Sequence, residues 1–320
     1  TNSAPGGGSA TLANAFVVNN PAPTLTSIRP VTGGKGQTLN VSIIGANFIS
    51  GVTSVEFGPG ITVGAVTAKS PTSLTASITI DPNTGTGVRG VSVTNVTPGG
   101  GKATLPSAFN VENLVPTIIS ASPATGSRGE VVTVSIAGTN FSSGSTTVVF
   151  GSGITVASVA VASPTQLTAN LTIATVAALG ARNIDVTNPS PGGGTATLIN
   201  GLMVGNPAPT VSAVAPASGS RGQSLTVNVT GTGFFSGATT VSFGPNIDVT
   251  SINVLSPIQL VANIKVTSGA ATGARSVQVT NPAPGGGTVG LTGGFTATNP
   301  APTIVGIAPN TAVRGGAVSV

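Results

Sequence analysis

The 320-residue sequence contains no cysteine, histidine, tryptophan or tyrosine, and only 5% of its residues are charged. Without cysteine there is no disulfide framework and no thiolate metal site. Without histidine, acid–base chemistry would fall to paired carboxylates of shifted pKa. The six acids are Glu56, Asp81, Glu112, Glu130, Asp185 and Asp248. They are scattered and do not recur where the rest of the sequence recurs, so no enzyme and no cofactor is expected. Calcium-stiffened arrays place several acids at each domain junction, because calcium takes six to eight oxygen ligands. Only Glu112 stands near a junction here, so no metal is expected either. Eleven basic residues give a net charge of +5. They are not clustered and have no stacking aromatics beside them, which argues against nucleic-acid binding. No apolar run reaches the roughly 18–20 residues of a membrane span.

What is abundant is glycine (46) and proline (24), and both recur at fixed places between apolar runs. Val279-Thr280-Asn281-Pro282-Ala283-Pro284-Gly285-Gly286-Gly287 has a counterpart at Val186-Thr187-Asn188-Pro189-Ser190-Pro191-Gly192-Gly193-Gly194. A third copy is Val93-Thr94-Asn95 with Pro98-Gly99-Gly100-Gly101, and a cut copy opens the chain at Thr1-Asn2 and Pro5-Gly6-Gly7-Gly8. Each lies 93 residues after the one before. Such a period fixes the architecture before any residue is read for chemistry. It divides the chain into the end of one repeat (1–20), three full repeats (21–113, 114–206 and 207–299) and the start of another (300–320), a window on a longer array.

Within a repeat the apolar residues alternate. Leu225, Val227 and Val229 share one face, as do Leu39, Val41 and Ile43, and Val132, Val134 and Ile136. Strict alternation marks a strand with one buried face. A Gly-x-x-Phe step follows at Gly45/Phe48, Gly138/Phe141 and Gly231/Phe234, where the glycine is expected to permit a tight bend and the ring to plug the core. After a strand ending in Phe57, Phe150 or Phe243 comes a short connector. The pairs Ser70-Pro71, Ser163-Pro164 and Ser256-Pro257 then start the next strand. Phe16, Phe109, Leu202 and Phe295 share one phase, which makes Ala10–Val18 the last strand of the cut repeat with Phe16 as its anchor. About seven short strands per repeat, with no helical pattern, predict an all-β tandem array of immunoglobulin-like sandwiches.

The run Pro209-Thr210-Val211, Pro216-x-Ser218-Gly219, Arg221-Gly222, Val229-x-Gly231-x-x-Phe234, Val241-x-Phe243-Gly244, Val277-x-Val279-x-Asn281 and Phe295 resembles the IPT/TIG family. The resemblance covers all three full repeats and implies immunoglobulin-like domains. Within that family the chain is most similar to the tandem, threonine- and glycine-rich form of large bacterial surface proteins. It departs from DNA-binding members, which have basic loops, and from disulfide-bearing receptor members.

Two further features recur. The linkers contain Pro21 and Pro23, Pro116, Pro207 and Pro209, and Pro300 and Pro302. Alternating prolines favour polyproline II and make a semi-rigid joint. A cation recurs at Lys35, Arg128, Arg221 and Arg314, and another at Arg89, Arg182 and Arg275. Such cations either donate to carbonyls of their own turn or contact a neighbouring domain or chain. The expected function is structural: a shaft of an extracellular fibre, sheath or stalk whose partner is another copy of itself. The alternatives are the monomeric shaft of a surface adhesin and accessory domains of a secreted polysaccharide-active enzyme.

Overall fold

The computed structural model describes residues 1 and 3–319; Asn2, part of the cut opening motif, and Val320 lie outside the described residues. All regular structure in the described residues is β. The first repeat carries β1 (Thr24–Arg29), β2 (Thr32–Gly34), β3 (Thr38–Ala46), β4 (Ser54–Glu56), β5 (Ile61–Ser70), β6 (Ser73–Ile80), β7 (Gly87–Asn95) and β8 (Gly101–Glu112). The second carries β9 (Thr117–Ser122), β10 (Thr125–Ser127), β11 (Val131–Thr139), β12 (Thr147–Val149), β13 (Ile154–Ser163), β14 (Gln166–Ile173), β15 (Gly180–Asn188) and β16 (Gly194–Gly205). The third carries β17 (Thr210–Ala215), β18 (Ser218–Ser220), β19 (Ser224–Thr232), β20 (Thr240–Ser242), β21 (Ile247–Ser256), β22 (Gln259–Val266), β23 (Gly273–Asn281) and β24 (Gly287–Thr298).

Each repeat folds into two four-stranded sheets, ordered β1-β3-β6-β5 and β2-β8-β7-β4 in the first, with the same order in the others. This is the immunoglobulin-like sandwich, with an opening strand divided between the two sheets. The division explains why eight strands appear where about seven were expected. Pro30, Pro123 and Pro216 stand just after β1, β9 and β17. Proline has no N–H to continue a ladder, so the chain leaves one sheet there. It then pairs in parallel with the last strand of the other sheet, as Gly33 does with Val111 and Gly219 with Ala297.

The inward sets are those the alternation marks. Val41, Ile43, Phe48, Phe57 and Phe109 lie in the first core, and their counterparts fill the other two. Phe57 and Phe109 meet edge-to-face with centroids 5.4 Å apart, as do Phe243 and Phe295. Leu202 takes the place of the second ring in the middle repeat and is equally buried.

Three expectations need correction. The "short connector" is a ten-residue strand in every repeat, β5, β13 and β21. It is an edge strand, half-buried on one face and built largely of small residues, which blurs its alternation. The Ser-Pro pairs therefore close a hairpin between two strands, with the serine ending the first of them. Ala10–Val18 forms no strand and Phe16 is 86% exposed, because the sheet that would receive them is not in this sequence. The glycine of Gly-x-x-Phe serves a close approach and not a bend. A Cβ on Gly45 would overlap the Thr24 carbonyl and stand 2.7 Å from the Phe48 ring.

The described chain divides into two compact units. One comprises residues 1–124, 130–174 and 181–202, and the other 125–129, 175–180 and 203–320. The first holds the first core and the buried centre of the second, and the second holds the third core.

Candidate functional site: the clasped linker

The most elaborate polar structure in the chain is built on the Val-Thr-Asn strand end. Asn188 is buried at the end of β15. Its Nδ2 donates to the Leu114 carbonyl at 2.9 Å and to the Asn140 carbonyl at 2.6 Å. Its Oδ1 accepts from Thr146 Oγ1 at 2.6 Å, and that hydroxyl accepts from the Ser142 N–H at 2.7 Å. The side chain thus uses both donors and accepts once, as a buried amide must. Asn95 binds Pro21, Asn47 and Thr53 in the same way, and Asn281 binds Pro207, Gly233 and Thr239. In each case the first-named carbonyl belongs to the linker that enters the repeat.

The proline–glycine turn after this asparagine grips the same linker one residue earlier. Asn113 N donates to Pro191 O at 2.9 Å, and Gly193 N donates to Asn113 O at 2.8 Å. Asn113 Nδ2 reaches Pro189 O at 2.8 Å, and Asn113 Oδ1 accepts from Ser142 Oγ at 3.3 Å. All four polar atoms of Asn113 are engaged. Asn20 and Asn206 repeat the two backbone bonds and the Nδ2 bond, to Val96 and Pro282 respectively. The first glycine of the triplet is required by this contact, and the second by the carbonyls of its own turn, Asn188 and Pro189. Gly192 has φ +68°, and a Cβ there would overlap the Asn113 carbonyl.

The linker composition follows from this arrangement. Prolines contribute carbonyls and no N–H, so a clasp made mainly of donors leaves no linker donor stranded at those positions. Pro23, Pro116 and Pro209 are buried, whereas Pro21 is exposed and Pro207 half-buried. The linker that keeps a single proline, Leu114-Val115-Pro116, keeps the buried one. Pro300 and Pro302 are exposed.

The repeated cations divide by position. Lys35 Nζ donates to Ser142 Oγ at 2.9 Å, joining the first repeat to the second. Its partial burial pushes the Lys35 pKa down. Arg128 and Arg221 turn instead to their own repeats and donate from Nε to the carbonyls of Ala177 and Ala270, each at 2.6 Å. Arg89 donates to the Gly85, Gly87 and Val88 carbonyls, Arg182 to Ala181 and Arg275 to Ala271. Arg314 lies exposed in a turn outside any strand. The position of Ser142 is taken by Phe235 in the third repeat, and the buried Asn206 Oδ1 there has no hydrogen-bond partner. The sequence showed these asparagines recurring every 93 residues but not their grip on the linker. Their recurrence beside the prolines was the available signal.

Glu56 and Lys102 form an exposed ion pair 2.7 Å long. They line an open cleft of about 590 Å3 floored by Phe57 and Val63. No group of three or more metal-ligating acids occurs among the described residues, and no helix is long and apolar enough to cross a membrane.

The family model for domain III of the quinohemoprotein amine dehydrogenase alpha subunit matches residues 115–192 and 208–283, just under half of the chain. Each matched segment runs from a linker to the turn that clasps it. No curated protein matches the chain significantly. Among solved structures, an I-band fragment of titin is 11% identical, covering 89% of this chain and 98% of that one, with a TM-score of 0.34. The Escherichia coli adhesin FdeC is 14% identical over 87% of this chain and 96% of that one, with a TM-score of 0.25. The plexin A4 extracellular region is 18% identical over 86% of this chain, with a TM-score of 0.27, and the match spans only 24% of that longer chain. The chain is an all-β tandem of immunoglobulin-like domains.

Proposed function

We propose that this chain is a structural segment of a long extracellular fibre, sheath or stalk, of the IPT/TIG type and bacterial, in which successive sandwiches are joined without slack and copies of the chain associate with one another. The observation that carries this reading is the complete engagement of Asn113. The last strand of one repeat runs directly into a residue whose four polar atoms are all held, three of them by the turn of the next repeat. A linker fixed by main-chain hydrogen bonds on both sides of its first residue transmits orientation and load, whereas a glycine–serine tether does neither. The main-chain part of the clasp recurs every 93 residues, so each joint is held by the same pair of backbone bonds. Equivalent steps are what a regular assembly needs. Low charge supports association, since few like charges must be brought together.

Electron microscopy of the purified chain tests this reading. Filaments with a regular axial repeat are expected. Dispersed single particles at high concentration would remove self-association and leave the shaft of an adhesin, for which the clasped linker would serve equally well.

A further inference from the structure

The sheet order places β5, β13 and β21 at one edge of their sheets, where each pairs on one side only among the described residues. An open edge of this length is a template for another strand, and proteins ordinarily blunt it with charge, proline or bulges. The three edges are blunted unequally. β5 carries Lys69 and β21 carries Asp248, but β13 (ITVASVAVAS) has no charge and no proline. Its two irregularities, at Val156/Ser158 and Val161/Ser163, leave Ser158–Val161 as a straight run. In that run Val159 and Val161 pack on the core, while Ser158 and Ala160 face solvent.

We propose that β13 is the lateral interface of the assembly, pairing antiparallel with β13 of a second copy of this chain. This rests on the self-associating reading given above. The faces match in that arrangement: about a two-fold axis at Ala160, that residue meets its own copy and Val159 meets Val161. Inward side chains then continue the core face across the junction, and small outward ones allow the approach. Isologous contacts of this kind are self-complementary by symmetry. The charged edges select the same sense of pairing. Lys69 is next to last in β5 and Asp248 is second in β21. Antiparallel pairing of β5 with β21 of another copy therefore brings these opposite charges together at one end, a favourable cross-strand pair.

The absence of cysteine makes the test clean. Ala160→Cys in the full chain is expected to give a disulfide-linked dimer on mild oxidation. Val131→Cys, 73% exposed on the central strand β11, is expected to stay monomeric. Ala160→Lys should raise the concentration needed for assembly by about tenfold or more, because two like charges would meet at the axis. If the unmodified chain assembles while Ala160→Cys cross-links no faster than Val131→Cys and Ala160→Lys assembles normally, the β13 interface is overturned and assembly uses another surface. If the unmodified chain stays monomeric in sedimentation at all concentrations, the self-association reading falls and this interface falls with it.

Discussion

Asn188 and Leu114, 74 residues apart, are joined by a 2.9 Å hydrogen bond from a buried side-chain amide to a linker carbonyl. The bond ties the segment that enters the second repeat to the strand end that closes it, so the joint and the domain share one buried polar group.

Replacing that amide should therefore loosen the joint and weaken the domain together. Asn188→Ala leaves the Leu114 and Asn140 carbonyls without their donor and Thr146 without its acceptor. Stranded buried polar groups cost ~1–3 kcal/mol each, so a loss of about 2–4 kcal/mol is expected in the transition of the second repeat. Chemical denaturation reads the stability. Hydrogen exchange at the Asn113 amide reads the linker and should speed up in the same variant.

Gly45→Ala probes the close approach of Gly45 on β3 to the Thr24 carbonyl of β1 and to the Phe48 ring. The added methyl has no free space, so a destabilisation of ~1–3 kcal/mol is expected. Gly85→Ala in the same repeat meets no atom within 4 Å and should change the melting temperature little. Equal effects of the two substitutions would refute the packing account.

Ser142→Ala removes the hydroxyl that links Lys35 to Asn113. It recreates in the second repeat the situation of Asn206, whose Oδ1 has no donor. A cost of ~1 kcal/mol is expected for the lost bond. In a double-mutant cycle with Lys35→Met, a coupling of at least ~0.5 kcal/mol would show that the two residues act together. Additive effects would mean the contact carries no energy.

The Glu56 carboxyl is held below the usual glutamate range, first by hydrogen bonds from Lys102 and Ser92 and then by the Lys102 charge. A carboxylate with a depressed folded pKa contributes stability above its unfolded pKa and loses it as pH falls through the folded one. Both side chains are exposed, so the effect should be small and salt-sensitive. Carbon-detected titration should place Glu56 below free glutamate, and Lys102→Met should move it upward.

The repeat, the sandwich class and most of the core were legible in the residues alone. Those follow from local rules: alternation sets a face, and a fixed period sets equivalent units. The sequence also displayed the asparagine, the prolines and the glycines of the clasp at constant spacing. What they do emerges in three dimensions, because Asn188 and Leu114 meet through the closure of an entire domain and no local pattern records that closure. The edge strand β13 escaped for a related reason. A strand paired on one side and buried on half a face needs little apolar alternation to be stable, so its sequence looks like a connector until its neighbour β14 is in place. The two series of cations illustrate the same limit. Their period was plain in the chain, but whether a guanidinium or ammonium reaches a neighbouring repeat or its own turn depends on what stands opposite. For Lys35 that is Ser142 of the next repeat, and for Arg128 and Arg221 it is a carbonyl of their own.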